Sequence, residues 1–311
     1  MKEKKFISAV AYLYNDEGSV LEFLKSLDGY LFDKFEHYEI ILVNDCSIDG
    51  TVDIIDKSKA LLNSESVIIL NLAWRHGLEP AMLAGTEMSI GDYVFEFDST
   101  AMDYTFETLN EIYDKAANGF DIVGAYPDGP QKTTSKLFYA FLKKVSYLNL
   151  ELTTENLKIV SRRALNRVLD LREKTRYRKA LYRYSGFPCA NVKYSPVKTA
   201  VRIKRSLSER LSLASDVIFA FSNLGMKISI ILSTLFFMLS IGIGLYATVI
   251  YLTLKTVVTG WTTLSLFLSC GFSGIFLVLG ILGKYLTMLL TEVQNRPSYI
   301  VRSIERVNKN D

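Results

Sequence analysis

The chain has 311 residues, 49% of them hydrophobic, and a formal net charge of +3. So small a charge, without a basic stripe interleaved with aromatic residues, argues against nucleic acid as a partner. Three separated cysteines and two isolated histidines fit neither a disulfide framework nor a zinc site. Because the apolar excess lies near the C-terminus, the composition predicts a soluble part followed by a membrane part.

Strands and helices alternate along the first part of the chain, starting with a strand at residues 6–14. Short connections between them predict a mostly parallel, doubly wound α/β sheet. The other predicted strands are at 39–43, 66–71, 121–125 and 157–160, with one more ending at 98. The predicted helices are at 19–31, 52–62, 80–89, 106–117, 136–148 and 162–171.

Three of the predicted strands end in acidic turns, at Asp16, Asp45 and Asp98. Ligands of open parallel sheets bind outside the carboxyl ends of the strands, so we expect a nucleotide at this edge. Asp98 could hold a divalent metal that in turn holds a diphosphate, and Glu96 points to the same face of its strand. The simpler alternative is one solvent-facing acid and one Asp that caps a turn. No dinucleotide or P-loop glycine fingerprint occurs.

Basic residues collect between 162 and 183 and again between 197 and 210. The first cluster is either a solvated helix face or a surface for anionic lipid or a phosphate-bearing substrate. The second leads into near-helical apolar spacing, which predicts an interfacial amphipathic region at 201–226.

Two uncharged stretches, 228–254 and 257–282, are each long enough for a spanning helix, which needs ~20 apolar residues. They predict a transmembrane hairpin at 227–285, followed by a tail at 286–311. Basic residues are dense on the outer flanks and sparse in the connecting turn. By the positive-inside rule, both termini are therefore expected to be cytoplasmic.

Several motifs resemble family 2 glycosyltransferases of the polyprenyl-phosphate sugar transferase type, related to dolichyl-phosphate mannose synthase. The most specific is VNDCSIDGT at residues 43–51, which resembles the nucleotide-binding turn of that family. The others are Tyr14-Asn15-Asp16, the glycine and alanine pattern from Gly77 to Gly91-Asp92, Ser161-Arg162-Arg163, and residues 292–301. The resemblance covers nearly the whole chain.

The resemblance implies a GT-A fold, Rossmann-like with a mostly parallel sheet, in residues 1–200. It implies a nucleotide-sugar donor, Mg²⁺ or Mn²⁺ as cofactor, and a polyprenyl phosphate acceptor at the cytoplasmic face of the cell inner membrane. The product would serve cell-envelope glycan or polysaccharide biosynthesis. The sequence leaves the sugar, the nucleotide and the oligomeric state open, including a homo-oligomer.

The predicted site residues fall into four groups. The nucleotide-sugar would be bound by Tyr14, Asp16, Asp45, Ser47 and Gly77. Catalysis is assigned to Asp98, Glu155 and Asn156, and metal binding to Asp98, Glu96 and Asp103. The acceptor phosphate would be bound by Arg162, Arg163, Arg202, Lys204 and Arg205.

The metal motif is degenerate, since the usual Asp-x-Asp is replaced here by Asp98-Ser99-Thr100. A second departure is Asn156, which stands where the family has an acidic residue. Thr100 is a poor metal ligand, and neutral Asn156 cannot accept a proton. Three interpretations follow: an active transferase with an altered metal site, a degenerate relative that acts as a binding or assembly partner, and a transporter subunit. The two uncharged spans make a poor transport pathway, which disfavours the third.

Overall fold

The computed structural model describes residues 2–58, 61–64, 66–128, 155, 157–170, 178–197, 260–293 and 297–307, with scattered positions between 229 and 253. The chain divides into two compact units. The first comprises residues 1–140, 150–206 and 297–311, and the second comprises residues 141–149 and 207–296.

The first unit is built on an eight-stranded sheet in the order β7-β5-β6-β4-β1-β2-β3-β8. Its strands are β1 Ile7–Leu13, β2 Tyr38–Asn44, β3 Val67–Leu72, β4 Tyr93–Phe97, β5 Ile122–Pro127, β6 Leu157–Ser161, β7 Cys189–Tyr194 and β8 Val301–Val307. Strands β6 and β8 are antiparallel to their neighbours, and the other pairings are parallel. The prediction of a mostly parallel α/β sheet is confirmed.

Helices connect the strands. They are α1 Val20–Lys34, α2 Thr51–Ser58, α3 Leu78–Met88, α4 Phe106–Ala117, α5 Arg162–Asp170 and α6 Arg178–Tyr184 in the first unit, and α7 Trp261–Val293 in the second. Helix α1 shows why such segments are helical: Val20, Phe23, Leu24, Leu27 and Leu31 are buried and recur every three or four residues, as on one helix face.

The core lies around the central strands. Residues 40–43 of β2 are fully buried, as expected for a parallel strand with helices on both faces. Phe23 of α1 meets Phe97 of β4 edge to face, with ring centroids 5.4 Å apart. Each fully buried large side chain contributes roughly 1.5–3 kcal/mol relative to an exposed one, so this packing holds the strand ends in fixed positions.

Three elements differ from the sequence-based expectations. Helix α6 lies in the last part of the basic cluster at 162–183, where neither a helix nor a strand was predicted. Strand β7 follows it, and β8 lies in the predicted tail. Strand β8 pairs antiparallel with β3, which places this part of the tail in the sheet. The predicted helix at 136–148 and the interfacial region at 201–226 lie outside the described residues.

Helix α7 is 33 residues long and is the main described element of the second unit. Within the described part of the chain, no helix meets the combined criteria of length and apolar character for a membrane span.

Candidate functional site

The carboxyl ends of β1, β2 and β4 meet at one edge of the sheet. These strands are adjacent and parallel, and the register pairs Leu13 with Asn44 and Ala11 with Phe97. The structure therefore places Asp16, Asp45 and Asp98, which follow these strands, along the same edge. This is the position at which open α/β sheets bind their ligands.

The turns after β1 and β2 are tied together by hydrogen bonds. The Asn15 amide donates to Ser47 Oγ at 3.1 Å, and the Ile48 amide donates to Asn15 Oδ1 at 2.9 Å. Asn15 and Cys46 have positive φ angles of 54° and 60°, which are uncommon for residues other than glycine. The hydrogen bonds hold this conformation, so Ser47 and its neighbours form a fixed loop beside Asp16.

Asp45 is a buried acceptor for three donors. Its carboxylate accepts hydrogen bonds from the His76 amide at 2.6 Å, the Gly77 amide at 2.8 Å and the Tyr12 hydroxyl at 3.0 Å. Gly77 has a φ of 88°, a conformation that favours glycine. Asp45 therefore anchors the loop before α3 to the site edge.

Asp16 and Thr100 face each other at the start of α1. The Asp16 carboxylate accepts from the Tyr14 amide at 2.9 Å, and burial raises its pKa against the opposing effect of that hydrogen bond and one from Thr100. The Thr100 hydroxyl lies 2.7 Å from Ser19 Oγ. Thr100, which stands in place of the second metal-motif acid, is thus engaged with the β1–α1 turn.

Tyr14 also contributes an aromatic surface at this edge. The Arg75 guanidinium lies over the Tyr14 ring, 4.2 Å from its centroid. The Trp74 and His76 rings stack at a centroid distance of 4.8 Å, and Trp74 is 54% exposed. Neither Trp74 nor Arg75 was predicted as a site residue, because nothing in the sequence indicates which way that loop turns.

Asp98 is bound by a buried arginine. Arg178, the first residue of α6, donates from Nη2 to Asp98 Oδ1 at 2.7 Å and from Nε to Glu79 Oε2 at 3.0 Å. Its Nη1 forms an ion pair with Glu96, which also accepts the Tyr182 hydroxyl. The Arg178 side chain is only 2% exposed, so one guanidinium is shared by three carboxylates within the sheet edge.

Two lysines complete this cluster. Lys179 Nζ lies 3.9 Å from Asp98 Oδ2, and Lys158 Nζ lies 3.8 Å from Glu96 Oε2. Burial alone would raise the pKa of Asp98, but the positive charges of Arg178, Lys158 and Lys179 outweigh it and lower the pKa to about 2. Asp98 is therefore ionised throughout the physiological range.

Glu155 lies at the same edge as Asp98. Its backbone carbonyl accepts a hydrogen bond from Lys179, and its carboxylate is 3.8 Å from Arg183. Its carboxylate also occupies the space that a side chain at Gly124 would fill, with Glu155 Cδ 2.3 Å from an ideal Cβ there. The structure thus connects Glu155 with Asp98 through Lys179, whereas Asn156 lies outside the described residues.

The residues present do not fit a divalent metal at Asp98. Glu96 and Asp98 are both paired with Arg178, and the predicted third ligand, Asp103, accepts a hydrogen bond from Tyr194 at 2.8 Å. In the described segments, no group of three or more His, Cys, Asp or Glu side chains is arranged to hold a metal ion.

Arg162 and Arg163 lie at the other end of the strands from Asp98, where β4 begins. Strand β6 is antiparallel to β4, so its last residue, Ser161, pairs with the first residue of β4. Arg162 donates to the Gly91 carbonyl at 2.8 Å, and Arg163 donates to Asp121 at 2.5 and 2.7 Å. At ~3.3 Å per residue, the length of β4 separates them from Asp98 by roughly 15 Å.

The acceptor-phosphate role predicted for Arg162 and Arg163 therefore does not fit their placement. Strand β6 runs antiparallel to its neighbours, which reverses the edge at which the following residues emerge, and the local sequence does not indicate this direction. Arg202, Lys204 and Arg205 lie outside the described residues, and their predicted role remains a prediction.

Arg178, Lys179 and Lys158 are the main site residues that sequence reasoning missed. The first two belong to the basic cluster, in which the sequence did not distinguish solvated from buried positions. The sequence offers one indirect signal: buried acids at one edge of the sheet require positively charged partners. This signal does not identify Arg178 as the partner, since Arg178 is 82 residues from Glu96.

The sequence of this chain is similar to known glycosyltransferases. Residues 8–169 match the family model described as glycosyl transferase family 2. A glycosyltransferase of Synechocystis sp. is 29% identical, with 96% of this chain and 95% of that protein covered. The bactoprenol glucosyl transferase of Shigella flexneri, derived from an SfII prophage, is 28% identical, with 97% of this chain and 99% of that protein covered.

Another relative is the undecaprenyl-phosphate 4-deoxy-4-formamido-L-arabinose transferase of Aeromonas hydrophila. It is 24% identical, with 97% of this chain and 94% of that protein covered.

Among solved structures, the fold is similar to glucosyl-3-phosphoglycerate synthase from Mycobacterium tuberculosis. One structure, in complex with phosphoglyceric acid, has a TM-score of 0.50 at 16% identity, with 70% of this chain and 80% of that chain covered. Another, also with a TM-score of 0.50 and 16% identity, contains Mn²⁺, UDP-glucose and phosphoglyceric acid and covers 69% and 77% of the two chains. The GT-A-like fold is thereby confirmed. Because the family model spans more than half of the chain, the protein belongs to glycosyl transferase family 2 and is a glycosyltransferase.

Proposed function

We propose that this glycosyltransferase moves a sugar from a nucleotide-sugar to a polyprenyl phosphate, for cell-envelope glycan assembly or modification. The observation that carries the proposal is the length of the match to the bactoprenol glucosyl transferase. It covers 97% of this chain and 99% of that relative, so it extends through the apolar C-terminal part as well as the family domain. The Aeromonas relative named for undecaprenyl phosphate supports the same class of acceptor.

The donor's nucleotide would bind at the carboxyl ends of β1 and β2. Tyr14 and Asp16 face this edge from the first turn, and Ser47 and Gly77 are held beside it by the hydrogen bonds around Asn15 and Asp45. A prearranged loop loses little entropy when it binds a ligand, which favours nucleotide recognition here. UDP-glucose in a structure with a similar fold supports a nucleotide-sugar donor.

The sugar would then be transferred next to Asp98 and Glu155. An oxygen of the acceptor phosphate attacks the anomeric carbon of the sugar, and the bond between that carbon and the donor diphosphate breaks. The nucleoside diphosphate leaves with the bonding electrons. Because a phosphate monoester is already anionic, the attack requires no proton acceptor, which is consistent with a neutral Asn156. The protein's contribution is therefore positioning and charge complementarity.

The acceptor would be reached at a membrane surface. Two uncharged stretches in the sequence support two spanning helices, with both termini on the cytoplasmic side of the cell inner membrane. Large apolar side chains of α7, including Phe276 at 69% and Leu289 at 62%, are exposed, as expected for contact with lipid.

Mass spectrometry of lipid products tests the proposal. The full chain, purified in a membrane mimetic, is incubated with undecaprenyl phosphate and a panel of nucleotide-sugars, and the lipids are then extracted. We expect one donor to yield a polyprenyl phosphate that carries a single sugar residue.

Undecaprenol, which lacks the phosphate, serves as the matched control acceptor and is expected to yield no product. Sugar transfer to undecaprenol, or no glycosylated lipid with any donor, would contradict the proposed acceptor.

A further inference from the structure

We propose that the Arg178 guanidinium takes the place of the divalent ion at Asp98, so that protein side chains supply the positive charge facing the donor's diphosphate. This inference rests on the proposed function for the identity of the ligand. It concerns the same edge of the sheet, and it starts from the ion pairs of Arg178 with Glu79, Glu96 and Asp98.

Arg178 already occupies the carboxylates that would bind the ion. Arg178 binds one oxygen each of Asp98 and Glu96, and its backbone amide and Nε both donate to Glu79 Oε2, at 3.1 and 3.0 Å. A Mg²⁺ or Mn²⁺ ion requires several oxygen ligands in near-octahedral geometry. Coordination of such an ion by Asp98 and Glu96 would require the guanidinium to leave a site in which it is 2% exposed.

The buried charges around Asp98 balance one another. The carboxylates of Glu79, Glu96 and Asp98 are matched by the cations Arg178, Lys158 and Lys179, and all six side chains are at least largely buried. Without a bound donor, a divalent ion would add two positive charges to a cluster that is already balanced. In a medium of low dielectric constant, an uncompensated charge is strongly unfavourable.

Thr100 also disfavours a metal ion at Asp98. In a two-acid motif, the second carboxylate would supply a further metal ligand. Here the Thr100 hydroxyl lies 2.7 Å from Ser19 Oγ, on the side of α1 rather than that of Arg178. The absence of a second acid at residue 100 and the buried arginine beside Asp98 therefore act together, since both reduce the affinity of the site for a metal.

Lys179 is the cation of this cluster that can contact a ligand. It lies 3.9 Å from Asp98 and is 12% exposed, whereas Arg178 and Lys158 are 2% and 1% exposed. We therefore assign Lys179 to the donor's diphosphate and Arg178 to the support of Asp98 and Glu96 behind it. A fixed ammonium beside the leaving diphosphate stabilises the negative charge that develops during transfer.

Binding of Mn²⁺ to the protein alone tests the inference. The full chain in a maltoside detergent, which lacks phosphate, is titrated with Mn²⁺ and free ion is followed by electron paramagnetic resonance. We expect no site with a dissociation constant below about 1 mM in the wild type. Arg178→Leu leaves three adjacent carboxylates without their shared cation, and we expect it to bind Mn²⁺ at least ~10-fold more tightly.

Arg183→Leu is the matched control, because Arg183 lies on the same helix and contacts Asn191 and Glu155 instead of Asp98. It is expected to bind no more Mn²⁺ than the wild type. One Mn²⁺ ion bound per wild-type chain below that limit, and released by Asp98→Asn, would overturn the inference. This wild-type measurement decides the matter even if Arg178→Leu does not fold.

A second arm uses the lipid transfer assay with excess EDTA. We expect the initial rate to change by less than about twofold, because no exchangeable ion takes part. A loss of more than about tenfold that Mn²⁺ restores would overturn the inference while leaving the proposed function intact. Conversely, absence of lipid transfer together with absence of Mn²⁺ binding would overturn the proposed function alone.

Discussion

Asp45 illustrates how a single buried carboxylate can organise a binding edge. It lies within β2's exit turn and accepts hydrogen bonds from the His76 and Gly77 amides and from the Tyr12 hydroxyl. The residue therefore connects the turn after β2 with the loop before α3, and both of these segments line the candidate nucleotide site.

Replacement of Asp45 tests this role. Asp45→Asn converts one acceptor oxygen into a donor that faces an amide N–H, so we expect a loss of about 1–3 kcal/mol in the free energy of unfolding. Tyr12→Phe removes only the hydroxyl and is expected to cost about 1 kcal/mol or less. Urea unfolding of the full chain measures both. Equal losses for the two variants would contradict the anchoring role.

The buried Asp16 carboxylate predicts a pH dependence of stability. Burial raises its pKa above the ordinary value of 3.8. Between the pKa of Asp16 in the unfolded chain and its higher pKa in the folded chain, a rise in pH removes the proton from the unfolded chain first. The free energy of unfolding therefore falls across this range and stays lower above it. Asp16→Asn cannot titrate, and it can still accept the Tyr14 amide through its side-chain oxygen.

We therefore expect the stability of Asp16→Asn relative to the wild type to increase from pH 4 to pH 7. Urea unfolding at several pH values measures this difference. A constant difference, or one that decreases with pH, would contradict a raised pKa for Asp16.

At the scale of elements, the contact between α3 and the sheet depends on a glycine. An ideal Cβ at Gly85 would lie 2.4 Å from Val10 Cγ1 and 2.6 Å from Val43 Cγ2, both in buried strands. We expect Gly85→Ala to cost about 1–3 kcal/mol, because the helix must move away from β1 and β2. Thermal unfolding of the full chain reports this loss.

Gly29→Ala is the matched control, since Gly29 lies within α1 and no atom lies within 4 Å of an ideal Cβ there. We expect it to be neutral or to stabilise the chain by up to about 1 kcal/mol, owing to the higher helix propensity of alanine. A destabilisation equal to that of Gly85→Ala would show that packing against the sheet is not the cause.

Strand β8 provides a second test at this scale. The register pairs Asn71 with Ser303, and Asn71 Nδ2 donates to Ser303 Oγ at 3.0 Å. Directly opposed residues on antiparallel strands have Cα separations that permit a disulfide. We expect the pair Asn71→Cys and Ser303→Cys to cross-link under mild oxidation, as detected by mass spectrometry of peptides.

The control pair is Asn71→Cys with Ile304→Cys. Ile304 pairs with Leu70 in the regular part of the ladder, so its side chain points to the other face of the sheet from that of Asn71. We expect no cross-link in this pair. Efficient cross-linking of the control, or none in the test pair, would contradict the assigned register of β8.

At the scale of the whole molecule, the sequence contains enough information to predict the parallel centre of the sheet. Continuous apolar runs such as 40–43 and regular helical spacing such as that of α1 mark buried strands and amphipathic helices. The acidic exits of β1, β2 and β4 then follow, because parallel neighbours place their carboxyl ends together. These local patterns require no knowledge of distant contacts.

The remainder depends on long-range pairing that local patterns do not encode. The direction of β6 determines the edge at which Arg162 and Arg163 emerge, and nothing within residues 157–163 specifies it. Likewise, Arg178 is buried only because Glu79, Glu96 and Asp98 converge from three separate segments. The basic residues around Arg178 in the sequence predicted an exposed surface. In the fold, the three carboxylates that pair with Arg178 allow its side chain to be buried.

The most direct test of the central claim compares two variants at opposite edges of the sheet in the lipid transfer assay. Sugar transfer at the carboxyl ends of β1, β2 and β4 predicts that Asp98→Asn lowers the initial rate by at least about 100-fold. Arg163→Ala, which removes an exposed guanidinium that contacts Asp121 and the Phe187 ring, is predicted to stay within about twofold of the wild type. A rate that depends on Arg163 and is unaffected by Asp98→Asn would place the reaction elsewhere and contradict the account.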